Sequence, residues 1–341
     1  MKIILAPQYP TPGRYQSEWH KLWENALKRS GSLVYNLHHV CKDRVPVIPG
    51  NKDEWIAPMK EALMWDSCMI EETERIINRD VDVILSLDFS YPGLYQQYML
   101  YAKRRYEVYI DFYVHATALF KDDWFSRKGW EFKKVQESLL ASEADALLFP
   151  TYTSLIKFKK YVPISDRKTH VVGFVLDLNR YHYERKVDAV MINGNPEYLD
   201  LNLLDKVVDI LKKEGVLMWS SSSELTKRYN LKNVDYMEGL RLAKIMFQPK
   251  THETFGVAVA EAVLMDTIPV LPSIDVYNEL YQAFTYNLNS TPMEVASFII
   301  NCMKSRMVAL TALSRCKEHL IYRYLRAPYL YNEWVLRSRR R

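Results

Sequence analysis

Short apolar runs recur along this chain with room for one helix between successive runs, and that alternation restricts the fold more than any other feature of the sequence. Residues 2–6, 33–37, 81–87, 108–114, 146–149 and 171–176 each read as a buried strand. Helices are expected at about 17–29, where Ser17 has the chemistry of an N-cap, and at 53–78. After a polar, tyrosine-rich hinge at 179–187 the pattern restarts, with strands at 189–192, 216–219 and 244–247 and a helix at 201–213. Strands that each hand over to a helix pair in parallel, because the helix supplies the crossover that a parallel pair requires. Two α/β domains follow, at 1–178 and 188–320, with a closing helix and basic tail at 321–341.

Composition narrows the class of protein. With 48% hydrophobic and 13% aromatic residues in 341, the chain can build full cores and is not disordered. Its ten glycines include no glycine-rich phosphate loop. Of the formal charge of +5, Arg337, Arg339, Arg340 and Arg341 account for four, so the body is nearly neutral; the tail reads first as a solvated end, with contact to nucleic acid or an acidic membrane surface as the alternative. Cys41, Cys68, Cys302 and Cys316 form no C-x-x-C pair, which points to neither a zinc ribbon nor a disulfide scaffold and fits a reducing cytoplasm. No uncharged apolar run is long enough to span a membrane, and the proline-broken start does not read as a signal peptide. Asp80 and Asp82 precede their strand and read as turn acids, while His38, His39 and Cys41 read as a strand end, so no metal site is expected. Residues 95–134 interleave aromatics with Lys and Arg, and Lys157, Lys159, Lys160 and Arg167 add a second basic cluster. A polyanionic acceptor uses such residues, though cores use aromatics too.

The stretch 248–272, QPKTHETFGVAVAEAVLMDTIPVLP, carries the clearest chemistry. Glu261 sits among apolar residues from Val257 to Met265, so its carboxylate needs partners, and sugar hydroxyls would serve. Gly256 opens a helix whose free N–H groups and positive dipole end suit a phosphate. Glu253, in the loop before it, lies eight residues ahead of Glu261. At about 1.5 Å per residue the two acids lie up to about 12 Å apart along the axis, room for a diphosphate with a sugar at one end and a ribose at the other.

Pro249, Glu253, Phe255, Gly256, Glu261, Ala262, Pro269 and Val270 resemble the E-x7-E signature of retaining, two-domain (GT-B) glycosyltransferases of the family 4 type. The resemblance implies two Rossmann-like parallel-sheet domains facing a cleft, with a C-terminal helix that crosses back to the first domain. It implies a metal-independent hexosyl- or pentosyltransferase that takes a nucleotide-sugar, a UDP-sugar, as co-substrate and needs no cofactor. Glu253 and, at the end of a strand in the first domain, His115 are the expected catalytic residues. Thr254, Phe255, Gly256, Glu261, Lys250, Arg241, Gly13 and Arg14 are the expected donor-binding residues. The acceptor hydroxyl is expected first on a modified base in nucleic acid (DNA), with a small molecule or a glycan precursor as the alternative. Three departures stand out: Lys250 replaces a small hydroxyl residue, Asp266 replaces a glycine, and the loop NGNPEYLD lacks the Arg and Lys that neutralise the diphosphate. That last departure leaves a catalytically silent binding protein, or an epimerase on the same fold, as rivals.

Overall fold

A computed structural model describes residues 1–10, 16–48, 59–78, 80–89, 93–120, 133–182 and 184–339, apart from the side chains of 16, 17, 306 and 307. The chain divides into two compact units, one formed by Met1–Leu176 with Tyr324–Arg341 and the other by Asp177–Arg323. The segment 177–186 therefore belongs to the second unit.

The first unit is built on a six-stranded parallel sheet in the order β2-β1-β3-β4-β5-β6. Its strands are β1 (Lys2–Ala6), β2 (Leu33–Asn36), β3 (Val83–Ser86), β4 (Tyr109–Tyr113), β5 (Ala146–Phe149) and β6 (Thr169–Val171). Every residue of β3 and β5 is buried, as continuous apolar runs require when helices cover both faces. The expected long helix is described as Met59–Ile76, with residues 51–58 outside the described part. Three sequence expectations are corrected here. His38 and His39 open a helix, His38–Arg44, instead of ending a strand, and His20 stacks on His38 at 3.6 Å. Cys41 and Cys68, 27 residues apart, form a disulfide that joins this helix to Met59–Ile76. The strand expected at 171–176 stops at Val171. Beyond it, Phe174 donates its N–H to the Tyr324 carbonyl and accepts from Ala327, so the chain pairs with the returning C-terminal segment instead. Gly173 makes this approach feasible: its φ is 82°, and a Cβ there would lie 2.3 Å from the Tyr324 oxygen.

The second unit carries another six-stranded parallel sheet, ordered β12-β11-β10-β7-β8-β9. Its strands are β7 (Val187–Ile192), β8 (Leu217–Ser220), β9 (Lys232–Asn233), β10 (Ala243–Phe247), β11 (Ile268–Pro272) and β12 (Thr285–Tyr286). The helix between β7 and β8 is Leu201–Lys213, capped by Asp200 and buried on the Leu204, Val207, Val208 and Leu211 face. Because the first strand of this sheet lies between the second and the fourth, the chain winds outward in both directions from β7. The winding of the chain diverges between β7 and β10, which is where doubly wound sheets open a crevice at their carboxyl edge.

Candidate functional site

The loops after β7 and β10 meet at this divergence. Leu199 and Lys250 form an isolated antiparallel bridge, Asp200 donates its N–H to the Pro249 carbonyl, and Asn193 donates to Phe247. This zipper fixes the start of the loop that carries Glu253. Gly256 then turns the chain into the helix Val257–Leu264 with a φ of 79°, a conformation that disfavours any residue with a Cβ. A Cβ at Gly256 would also stand 3.2 Å from the Tyr277 ring. The first intrahelical donors are Val259 and Ala260, both to the Gly256 carbonyl, so the N–H groups ahead of them have no acceptor within the helix.

Glu253 is held inside this turn. Lys250 Nζ lies 2.8 Å from one carboxylate oxygen, and the Thr254 N–H donates to the other at 3.0 Å. Both side chains of the pair are largely covered, at 16% exposure for Glu253 and 22% for Lys250. Burial pushes the Glu253 carboxyl upward, but the Lys250 ammonium, the Thr254 N–H and His252 together outweigh it and hold the group below its ordinary value. Lys250 also lies 5.6 Å from the centre of the Tyr198 ring, on the loop after β7. The site therefore contains an ionised carboxylate, an ammonium and a helix N-terminus in one short segment.

Glu261 lies on the helix, and its partners come from the protein itself: Tyr236 donates to one oxygen at 2.5 Å and Tyr181 to the other at 3.2 Å. The sequence offers sugar hydroxyls as partners for this carboxylate and misses these two phenols. Burial still raises the Glu261 carboxyl above its ordinary value, against the lowering effect of both hydroxyls. Nothing in the sequence marks Tyr181 and Tyr236 among 24 tyrosines, because neither lies at helical spacing from Glu261.

The other expected residues are less closely gathered. Thr254 and Phe255 follow Glu253 directly, with Phe255 buried. Arg241 ends the helix Tyr236–Leu242 just ahead of β10, so the full strand separates it from the glutamate loop, and it pairs with Glu184 at 3.0 Å. Lys244, near the start of β10, pairs with Asp188. Gly13 and Arg14 lie outside the described residues. His115, in the first unit, follows β4 and packs edge-on against Trp19 at 5.0 Å. Asp266 adopts the left-handed conformation at φ 57° and accepts from Lys317, standing in for the expected glycine.

In architecture the chain has the α/β, GT-B fold of glycosyltransferases. The sucrose-phosphate synthase of Thermosynechococcus elongatus superposes with a TM-score of 0.70 over 100% of this chain and 98% of its own, at 12% identity. A glycosyltransferase from Rickettsia africae gives 0.64 over 98% of both chains, also at 12% identity. Staphylococcus aureus TarM, in complex with UDP and alpha-GlcNAc-glycerol, gives 0.59 over 80% of this chain and 58% of its own, at 11% identity. No protein-family model matches the sequence, and neither does any curated protein. Among the described residues no helix is long and apolar enough to cross a membrane.

Proposed function

We propose that this protein is a retaining glycosyltransferase that moves a sugar from a UDP-sugar to an acceptor hydroxyl. The observation that carries the reading is the position of the Lys250–Glu253 pair, in the loop between β10 and a glycine-led helix at the divergence of the second sheet. The helix N-terminus and Lys250 would hold the charge of the departing diphosphate, which is stabilisation by groups already in place. Glu253, kept ionised by Lys250, would accept hydroxyl donors from the transferred sugar, and Glu261 those of the ribose. Attack by the acceptor on the face the diphosphate leaves would preserve the anomeric configuration. This scheme needs no metal and is supported by the likeness to a TarM structure that holds UDP.

For the acceptor, the buried part of the aromatic run favours a small molecule or glycan precursor over a base in nucleic acid, although Tyr101 and Tyr109 of the same run are exposed. Tyr95, Phe112, Tyr113 and Phe120 from the aromatic run are at most 2% exposed and so form core. Lys157 lies over the Phe120 ring, and Lys159 pairs with Asp166, so the second basic cluster is partly committed within the protein. A silent GT-B binding protein is the second reading, favoured by the absence of Arg and Lys from residues 193–200.

The test is slow hydrolysis of a panel of UDP-sugars by the purified protein, with and without candidate alcohols, glycans and single-stranded DNA. Turnover should fall by about 100-fold in Glu253→Ala while UDP binding persists. A wild-type protein that binds UDP but turns over no sugar would support the silent binder. One that converts a UDP-sugar to its epimer would be an isomerase.

A further inference from the structure

Two tyrosines grip the acid assigned above to the ribose, and their geometry extends that assignment. Tyr236 opens the helix Tyr236–Leu242, whose N-cap Asp235 accepts from the N–H groups of Met237 and Glu238. Gly239 on that helix sits so close to β7 that a Cβ there would meet the Met191 sulfur at 2.8 Å. The phenol is thus carried on a backbone with little freedom to shift. Tyr181 comes from the segment that leads into β7. Each hydroxyl donates to a different oxygen of Glu261, at 2.5 and 3.2 Å. An ionised carboxylate has about four acceptor positions, so roughly two remain after the phenols are served. Those two lie on separate oxygens of a group whose plane is now fixed.

The geometry points to Tyr236, assisted by Tyr181, as a positioning residue for ribose recognition: the phenols hold the Glu261 carboxylate so that its remaining lone pairs face a vicinal diol. The ligand class is a ribonucleoside diphosphate or its sugar ester, and the 2′-deoxy form is the one rejected. The inference rests on the ribose role of Glu261 proposed above. It adds that the discrimination belongs to the phenol–carboxylate unit and not to the acid alone. Without Tyr236 the carboxylate can rotate and loses its closer donor. Loss of a hydrogen bond to the charged form also favours protonation, which removes an acceptor position.

The experiment measures calorimetric affinities of the full-length protein for UDP, ADP and GDP and for the 2′-deoxy form of each, across pH 5 to 8. For the wild type, one ribonucleotide should bind about tenfold or more tightly than its deoxy counterpart, with affinity falling at the acid end. In Tyr236→Phe the ribonucleotide should lose about tenfold, the deoxy form little, and the acid limb should move to higher pH. Tyr181→Phe should show the same changes, smaller in size, and serves if Tyr236→Phe does not fold. Unchanged ribo-to-deoxy ratios and an unmoved acid limb in both variants would overturn the inference while leaving the donor site intact. A wild type that binds none of the six nucleotides would overturn the proposed function and this inference with it.

Discussion

Glu253 and Glu261 are the same residue type eight positions apart, yet their surroundings push them in opposite directions. At Glu253 the Lys250 ammonium, the Thr254 N–H and His252 together overcome burial and hold the carboxyl down, whereas at Glu261 burial wins over two neutral phenols and the carboxyl is raised. A raised acid binds its proton more tightly in the folded than in the unfolded state, so folding loses stability as pH climbs through the interval between the two values. The ionised Glu261 is therefore a standing cost at neutral pH. Glu261→Gln can still accept from one phenol and donate to the other, so the substitution should raise the melting temperature by a few degrees at pH 7. That advantage should shrink toward zero as pH falls below the ordinary carboxylate range, while nucleotide binding is lost throughout. Parallel thermal melts of the two proteins from pH 4 to 8 check it, and a constant difference across that range would mean burial of Glu261 is not the cause. At this scale the sequence pointed to both acids through their spacing and apolar setting. It could not reveal the phenols, which reach Glu261 from 25 and 80 residues away.

Among the elements, regular alternation was the legible part. The helix Leu201–Lys213 and the strand Ala146–Phe149 fall where periodicity placed them, because nothing in the tertiary structure competes with their local pattern. The helix His38–Arg44 was not legible: it is seven residues long, has no side-chain cap bond, and begins directly beyond the edge strand β2. Its anchor is the disulfide from Cys41 to Cys68 on the neighbouring helix, a contact across 27 residues that no spacing rule announces. Closing a loop of this length stabilises a fold by roughly 2–4 kcal/mol, chiefly through the unfolded chain. Reduction, or the Cys41→Ser and Cys68→Ser pair, should lower the unfolding free energy by about that amount in urea melts. Thiol titration of the denatured, unreduced protein should find only Cys302 and Cys316 reactive. Four reactive thiols would show that the bond does not form in solution.

On the scale of the whole molecule, the first unit takes its last pieces from the far end of the chain, a feature that composition misread. The basic end was expected to be a solvated tail, and Arg339 is instead nearly buried, with Arg340 and Arg341 outside the described residues. Its guanidinium makes two 2.7 Å bonds to the carboxylate of Asp111, a fully buried residue of β4, and Tyr331 donates to the same carboxylate at 2.5 Å. Burial drives the Asp111 carboxyl upward and the arginine opposes it. A guanidinium at a chain end looks like any other surface charge in sequence, because its partner lies 228 residues earlier. Removing one member of such a pair leaves an uncompensated charge in the core, which costs about 3–5 kcal/mol, whereas replacing both with apolar groups of similar volume is often neutral. Arg339→Met should therefore destabilise the first unit by about that amount, and adding Asp111→Leu should recover most of it. Urea melts of the single and double variants, read through tryptophan fluorescence of the buried Trp19, Trp23 and Trp65 in that unit, measure the coupling. If Arg339→Met melts like the wild type, the C-terminal segment does not complete the first unit in solution, and the closing helix would be an appendage instead of part of its core.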